Sequence, residues 1–385
     1  MIPNFEKIVS IVRERYGNDG FIPLHAPYFG GNEKKYLNAC IDSTFVSSVG
    51  AFVTKFEEEM CRITGAKYAI ATVNGTAALH MSLILAGVER DDEVLSQALT
   101  FVATANAIAY IGAKPIFIDV DKDTLGLSPE KLVNFLETET EMDSDGNCIN
   151  KKTKRKIKAC VPMHTFGFVA RIEEIVAICD RYGILVVEDT AESLGSYCNG
   201  IHTGNFGKIA AFSFNGNKTV TCGGGGAIIT NDEIIAKRAK HLTTTAKVPH
   251  AWEFFHDEVG YNYRMPNINA ALACAQLELL PEILANKRTT SEFYKKSFQE
   301  IGIPFVTELE NTRANYWLNA IILSDKTERD HFLKYSNEVG VMTRPIWTLM
   351  NKLPAFELAQ CANLDNSLFL EDRIVNIPSS FKPKS

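Results

Sequence analysis

A chain of 385 residues with 46% hydrophobic and 22% charged side chains has the make-up of an ordinary globular protein, long enough for one large domain or two. Its formal net charge of −6 argues against a nucleic-acid protein working by bulk electrostatics, though not against a small basic pocket for an anionic ligand. None of the nine cysteines falls in a CxxC pair, so no metal site is expected.

The opening "MIPNFEKIVSIVRERYG" is charged and amphipathic, unlike a secretory signal. No apolar run approaches the roughly 18 residues of a membrane helix. With free thiols, this suggests a cytoplasmic protein with no membrane partner. "KYAIATV" (Lys67–Val73) reads as a buried strand and "GTAALHMSLILAGV" (Gly75–Val88) as a helix. "DEVLSQALT" gives a strand ending near Thr100, "FVATANAIAYIGA" a helix, and "KPIFIDVD" another strand. The stretch 137–158, acidic and then basic around an Asp145-Gly146-Asn147 turn signal, reads as an exposed hairpin or loop with a solvated surface. "IKACVPMHTFG" and the helix "RIEEIVAICDRYG" follow. "ILVVEDTAESLG" is a strand that breaks into a loop at Glu188–Asp189, and "IAAFSF" and "GAIITND" are strands flanking a lone lysine, Lys218.

Strand–helix alternation with short loops argues an α/β fold with a mostly parallel sheet. "GYNYRMPNINAALACAQLELL" (Gly260–Leu280) looks like a loop feeding a long helix. After Pro281 the pattern changes to helix, strands around "NYWLNAIIL" and more helix. The expected organisation is a large α/β domain over 1–280, with an N-terminal segment 1–50 and the insert 137–158, and a smaller α+β domain over 281–385.

In an open α/β sheet, ligands bind beyond the carboxyl ends of the strands. The polar groups following strands here make one set. Gly75, Thr76 and Ala77 open a helix, a ready anion site. Phe101 brings an aromatic ring to the mouth. Asp189 and Glu192 follow "ILVVE", and Ser213 and Lys218 follow the strand before the glycine run. A lysine in such a place can hold a phosphate, pair with a carboxylate or act as a nucleophile. A phosphate seat, an aromatic face, a carboxylate and a lysine together suit pyridoxal 5'-phosphate. The glycines 223–226 lead into a strand rather than a helix, so they are no dinucleotide fingerprint.

The segments "NGTAALHMSL", "TFVATANAIAYIGAKPIFIDVD", "VVEDTAESLGS", "FSFNGNK" and "GGGGAIITND" together resemble the DegT/StrS-type sugar aminotransferases, over about Pro23 to Ser380. The resemblance implies fold-type I, with a mostly parallel seven-stranded sheet. The opening "FIPLHAPYFGGNEKKYLNACIDSTFVSSVG" and "SFNGNKT" are similar to the branch acting in bacillosamine and legionaminic-acid synthesis. That branch aminates C4 of a UDP-linked 4-keto-6-deoxy N-acetylhexosamine, usually with L-glutamate as donor and 2-oxoglutarate as its product.

By that resemblance Lys218 is the Schiff-base lysine and the acid/base of both half-reactions, with pyridoxamine 5'-phosphate as the intermediate carrier. Asp189 holds the pyridine nitrogen. Glu192 sits near the ring oxygen, where many relatives carry Gln. Gly75, Thr76, Ala77 and Ser213 contact the phosphate, and Phe101 stacks on the ring. Asn262 reaches the phosphate of a neighbouring subunit, because sites in this family lie at a homodimer interface. His164 either faces the substrate or caps a loop. Arg344 either meets the nucleotide or the glutamate carboxylate, or makes a surface ion pair.

Four alternatives stand beside this reading. A GDP-linked 4-keto-6-deoxymannose (giving perosamine) or a keto-octulosonate is a different substrate for the same chemistry. A related sugar dehydratase carries His in place of the lysine. A non-catalytic regulator on this scaffold needs no lysine. A nicotinamide oxidoreductase needs the missing fingerprint.

Overall fold

The computed structural model describes residues 5–17, 20–47 and 49–383. Met1–Asn4 of the opening segment and Ser48 of "STFVSSVG" lie outside the described residues. Helices α1 (Phe5–Tyr16), α2 (Glu33–Asp42) and α3 (Ala51–Thr64) precede the first strand. The alternation then runs β1 (Tyr68–Thr72), α4 (Gly75–Leu85), β2 (Glu93–Gln97), α5 (Val102–Ile111), β3 (Lys114–Ile118), α6 (Pro129–Glu139), β4 (Ile157–Val161), α7 (Ile172–Arg181), β5 (Leu185–Asp189), β6 (Ile209–Ser213), β7 (Gly226–Thr230) and α8 (Glu233–Thr243).

These strands pair in the order β1-β7-β6-β5-β4-β2-β3. Neighbours from β6 through β3 are parallel, and β7 alone runs against both of its neighbours. β2 is buried along its whole length and β3 through β6 nearly so, as helices cover both faces of a parallel sheet. The seven expected strands gain an eighth, because Gln360–Cys361 pairs in parallel with Ile116–Phe117 at the edge. Two residues are too short to carry an alternation signal.

The expected 137–158 insert is a hairpin, Thr140–Met142 against Cys148–Asn150. Its base is not merely solvated: Asn150 is buried and its Nδ2 donates to Glu93 (2.8 Å) and Gln360 (2.9 Å).

α9 (Asn267–Glu300) runs unbroken through Pro281, where a change of domain was expected. A proline forfeits one helical hydrogen bond, and buried faces on both sides of it hold this helix together. An 18-residue window of α9 has a mean hydropathy of 1.3, and half of that window is buried against the rest of the chain. Beyond α9 come β8 (Asn319–Ile322), α10 (Lys326–Glu338), β9 (Arg344–Pro345), α11 (Asp365–Glu371) and β10 (Ile374–Ile377). β10 is the centre of a small antiparallel sheet, β8-β10-β9. α1 was expected with the large domain. Its Phe5, Ile8 and Val12 pack with Tyr294, Phe298, Ile321, Phe332 and Val375, so α1 shares a core with residues beyond Pro281. An amphipathic stripe shows that a face is buried but not against what.

Candidate active site

β1, β2, β5 and β6 all deliver their carboxyl ends to one edge of the sheet. There Gly75, Thr76, Phe101, Asp189, Glu192, Ser213 and Lys218 line one cavity of about 220 Å³. A larger cleft of about 780 Å³ lies by Glu93 and Lys114, at the opposite ends of β2 and β3, and contains none of them.

Asn74 is extended and caps α4, its side chain accepting from the Ala77 amide at 2.8 Å. This corrects the expectation for Ala77: its N–H is already taken, and it does not line the cavity. The Gly75 and Thr76 amides, in the first turn, have no intrahelical partner. A Cβ on Gly75 would lie 2.6 Å from Ser213 Cβ, so only glycine lets the helix end approach β6 this closely.

Asp189 ends β5 and is buried. Its Oδ2 accepts from the Thr104 hydroxyl at 2.7 Å and its Oδ1 from the Ala191 amide at 3.1 Å. Burial pushes its carboxyl above the usual range, while the Thr104 and Ala191 bonds and the charges of Lys218 and His164 pull the other way. Such a carboxylate gains from a cationic partner. Lys218 Nζ lies 3.0 Å from Glu192 Oε1 and 4.0 Å from the centre of the Trp317 ring. Glu192 Oε2 accepts from the Phe166 amide at 2.8 Å. Burial raises the Glu192 carboxyl, and the Lys218 charge opposes that rise. Phe101 is 46% exposed at the rim, 6.0 Å from Trp347.

Three other expected residues stand apart from the cavity. His164 is fully buried, with Nε2 3.0 Å from Glu188 and Nδ1 accepting from the Ala170 amide, so it faces the core and not a substrate. Arg344 is exposed on β9, bonded to Asn337 Oδ1 and the Thr343 carbonyl, and among the described residues it makes no ion pair. Asn262 is exposed opposite Thr244 and does not line the cavity of its own chain. The sequence reading does not single out Thr104 or Trp317, which contact Asp189 and Lys218. Thr104 lies one helical turn after Phe101 in the same motif, a spacing that could have pointed to it. Trp317 comes from the C-terminal third, and nothing in its neighbourhood marks it.

The set meets pyridoxal phosphate's needs: an amine for the aldehyde, a buried acid for the ring nitrogen, and helix amides with hydroxyls for the phosphate. A family model, that of the DegT/DnrJ/EryC1/StrS aminotransferases, matches residues 27–383. The chain belongs to this family. It is therefore a pyridoxal-phosphate-dependent sugar aminotransferase. It is 35% identical over 336 residues to a GDP-perosamine synthase of Escherichia coli O157:H7, covering 87% of each chain. It is 34% identical over 361 residues to one of Vibrio cholerae, covering 93% of this chain and 94% of that one. A crystal structure of a family member from Brucella abortus matches with a TM-score of 0.82 at 25% identity, over 90% of each chain.

Proposed function

We propose that the protein moves the amino group of L-glutamate to C4 of a UDP-linked 4-keto-6-deoxy N-acetylhexosamine, in two half-reactions that share Lys218. The observation that carries the chemistry is the Lys218–Glu192 contact, 3.0 Å long, in the same cavity as the buried Asp189. When bound, pyridoxal phosphate supplies an aldehyde that takes up the amino group and a ring that withdraws electrons. Asp189 would hold the protonated ring nitrogen, already oriented by Thr104. Gly75, Thr76 and Ser213 would hold the phosphate. The Lys218 amine would carry a proton away from the donor's α-carbon and return one to C4 of the sugar, so a single base serves both directions. Glu192 would take or give the proton that keeps Lys218 reactive.

The UDP reading rests on the resemblance of "FIPLHAPYFGGNEKKYLNACIDSTFVSSVG" and "SFNGNKT". A second reading, a GDP-linked 4-keto-6-deoxymannose, is favoured by the similarity to two GDP-perosamine synthases. Assays with both sugars, following 2-oxoglutarate and the product's mass, separate them. Turnover of the UDP-linked sugar alone supports the first reading, and turnover of the GDP-linked sugar alone overturns it.

The proposal includes a homodimer in which Asn262 serves the neighbour's phosphate. Support comes from exposed Trp252, Phe254, Phe255 and Val259 on the segment leading to Asn262, an apolar run that a partner would cover. Sedimentation velocity tests this, and a monomer at assay concentration would refute it. A cytoplasmic setting is supported by the nine free thiols.

A further inference from the structure

Lys287 lies midway along α9 with 1% of its surface exposed. Among the described residues no carboxylate is within ion-pairing distance of it. Its Nζ donates to the carbonyls of Ser379 (2.8 Å) and Trp317 (3.1 Å) and lies 2.8 Å from His25 Nε2. Three contacts match the three hydrogens of an ammonium. A buried amine without a counter-charge is costly, and an apolar side chain of similar length would fill the space more cheaply. Burial accordingly pushes the Lys287 amine down to about 7, and burial with the neighbouring lysine charges holds His25 well below its ordinary value.

The group that Lys287 grips leads to the active site. The Trp317 ring lies 4.0 Å from Lys218 Nζ, and its Nε1 donates to the carbonyl of Asn217 at 2.6 Å. One indole thus touches the amine and anchors the residue before it. The Trp317 amide donates to Asn315 Oδ1, and Asn315 Nδ2 donates to the carbonyls of Glu192 (2.8 Å) and Leu194 (2.9 Å). Between them Tyr316 sits at a φ of 49°, a left-handed conformation that a bulky residue keeps only when its surroundings hold it. Arg288 holds the other end of the segment, donating to the Ala314 carbonyl at 3.0 Å and lying 4.9 Å over the Tyr316 ring.

We propose that Lys287 is a positioning residue for Lys218: by holding the Trp317 carbonyl it fixes the indole against the amine and keeps Lys218 in register with Glu192. This rests on reading Lys218 as the reacting amine. Its first test needs no cofactor, donor or sugar, so its failure is distinguishable from failure of that reading.

In a Trp252→Phe/Trp347→Phe background Trp317 is the sole emitter. Lys218→Ala in that background marks the emission change that loss of the amine contact gives. Lys287→Met, at unchanged far-ultraviolet circular dichroism, is expected to shift Trp317 emission to the red. In the tryptophan-containing enzyme it is expected to lower kcat about 10- to 100-fold with the glutamate KM little changed. Lys287→Gln, which keeps two N–H donors, is expected to recover part of both. In a Trp317→Phe background Lys287→Met should add little further loss. Parental emission in a folded Lys287→Met protein would overturn the proposal, as would losses that multiply in the Trp317→Phe background. Should Lys287→Met not fold, Lys287→Gln carries both comparisons: its emission must fall short of the parent's, and its kcat loss must vanish beside Trp317→Phe.

Discussion

Lys218 Nζ lies 3.0 Å from Glu192 Oε1, and the side chains are 12% and 1% exposed. An ion pair so deep in a cavity is held from behind, by the Phe166 amide on Glu192 and the Trp317 ring beside the lysine. It leaves the amine facing a cavity rimmed by Phe101 and floored by Asp189.

Asp189→Asn should fold and still bind pyridoxal phosphate, with kcat reduced about 100- to 1,000-fold, because a neutral amide cannot stabilise a protonated ring nitrogen. Thr104→Val removes one 2.7 Å bond to the same carboxylate and should cost about tenfold. Steady-state kinetics with glutamate measure both. A fully active Asp189→Asn would separate this carboxylate from the chemistry.

Gly75→Ala places a methyl 2.6 Å from Ser213 Cβ. The end of α4 must move, at a cost of about 1–3 kcal/mol in stability. The amides that face the phosphate move with it. The dissociation constant for pyridoxal phosphate, from absorbance titration of the cofactor-free protein, should rise by at least about tenfold. An unchanged constant would place the phosphate elsewhere.

Lys287 gives a signed pH effect. Unfolded, a lysine amine titrates near 10.5, and in the folded protein Lys287 is pushed down to about 7. Between these values the unfolded chain binds the extra proton. Lys287's contribution to stability therefore rises as pH climbs from about 7 and levels off near 10.5. Urea midpoints at pH 7, 8 and 9 should rise more steeply for the parent than for Lys287→Met. Parallel curves would mean that the amine is not depressed.

The strands were legible because buried parallel strands read as short apolar runs closed by turn residues. Gly75, Thr76, Phe101, Asp189, Ser213 and Lys218 were legible for a related reason: a parallel sheet sends the residue after each strand to one edge. Ala77 lies outside the cavity for a reason its neighbour supplies, since an asparagine before a helix claims an amide in the first turn. His164 follows a strand too, yet its ring turns inward to Glu188, and strand position does not say which way a side chain points. Trp317 and Lys287 were invisible for a third reason. Their contacts come from the docking of α9 and of the chain just before β8 against the lysine segment, and no local pattern encodes such a meeting.

A covalent map tests whether Lys218 is the reacting amine. The protein is incubated with pyridoxal phosphate, reduced with borohydride, digested and sequenced by mass spectrometry, with and without prior glutamate. The expected result is one label per chain, on the peptide holding Lys218, lost when glutamate is added first and absent in a folded Lys218→Ala variant. A label on another lysine, Lys287 included, or one that survives glutamate, would contradict the assignment of Lys218 as the reacting amine.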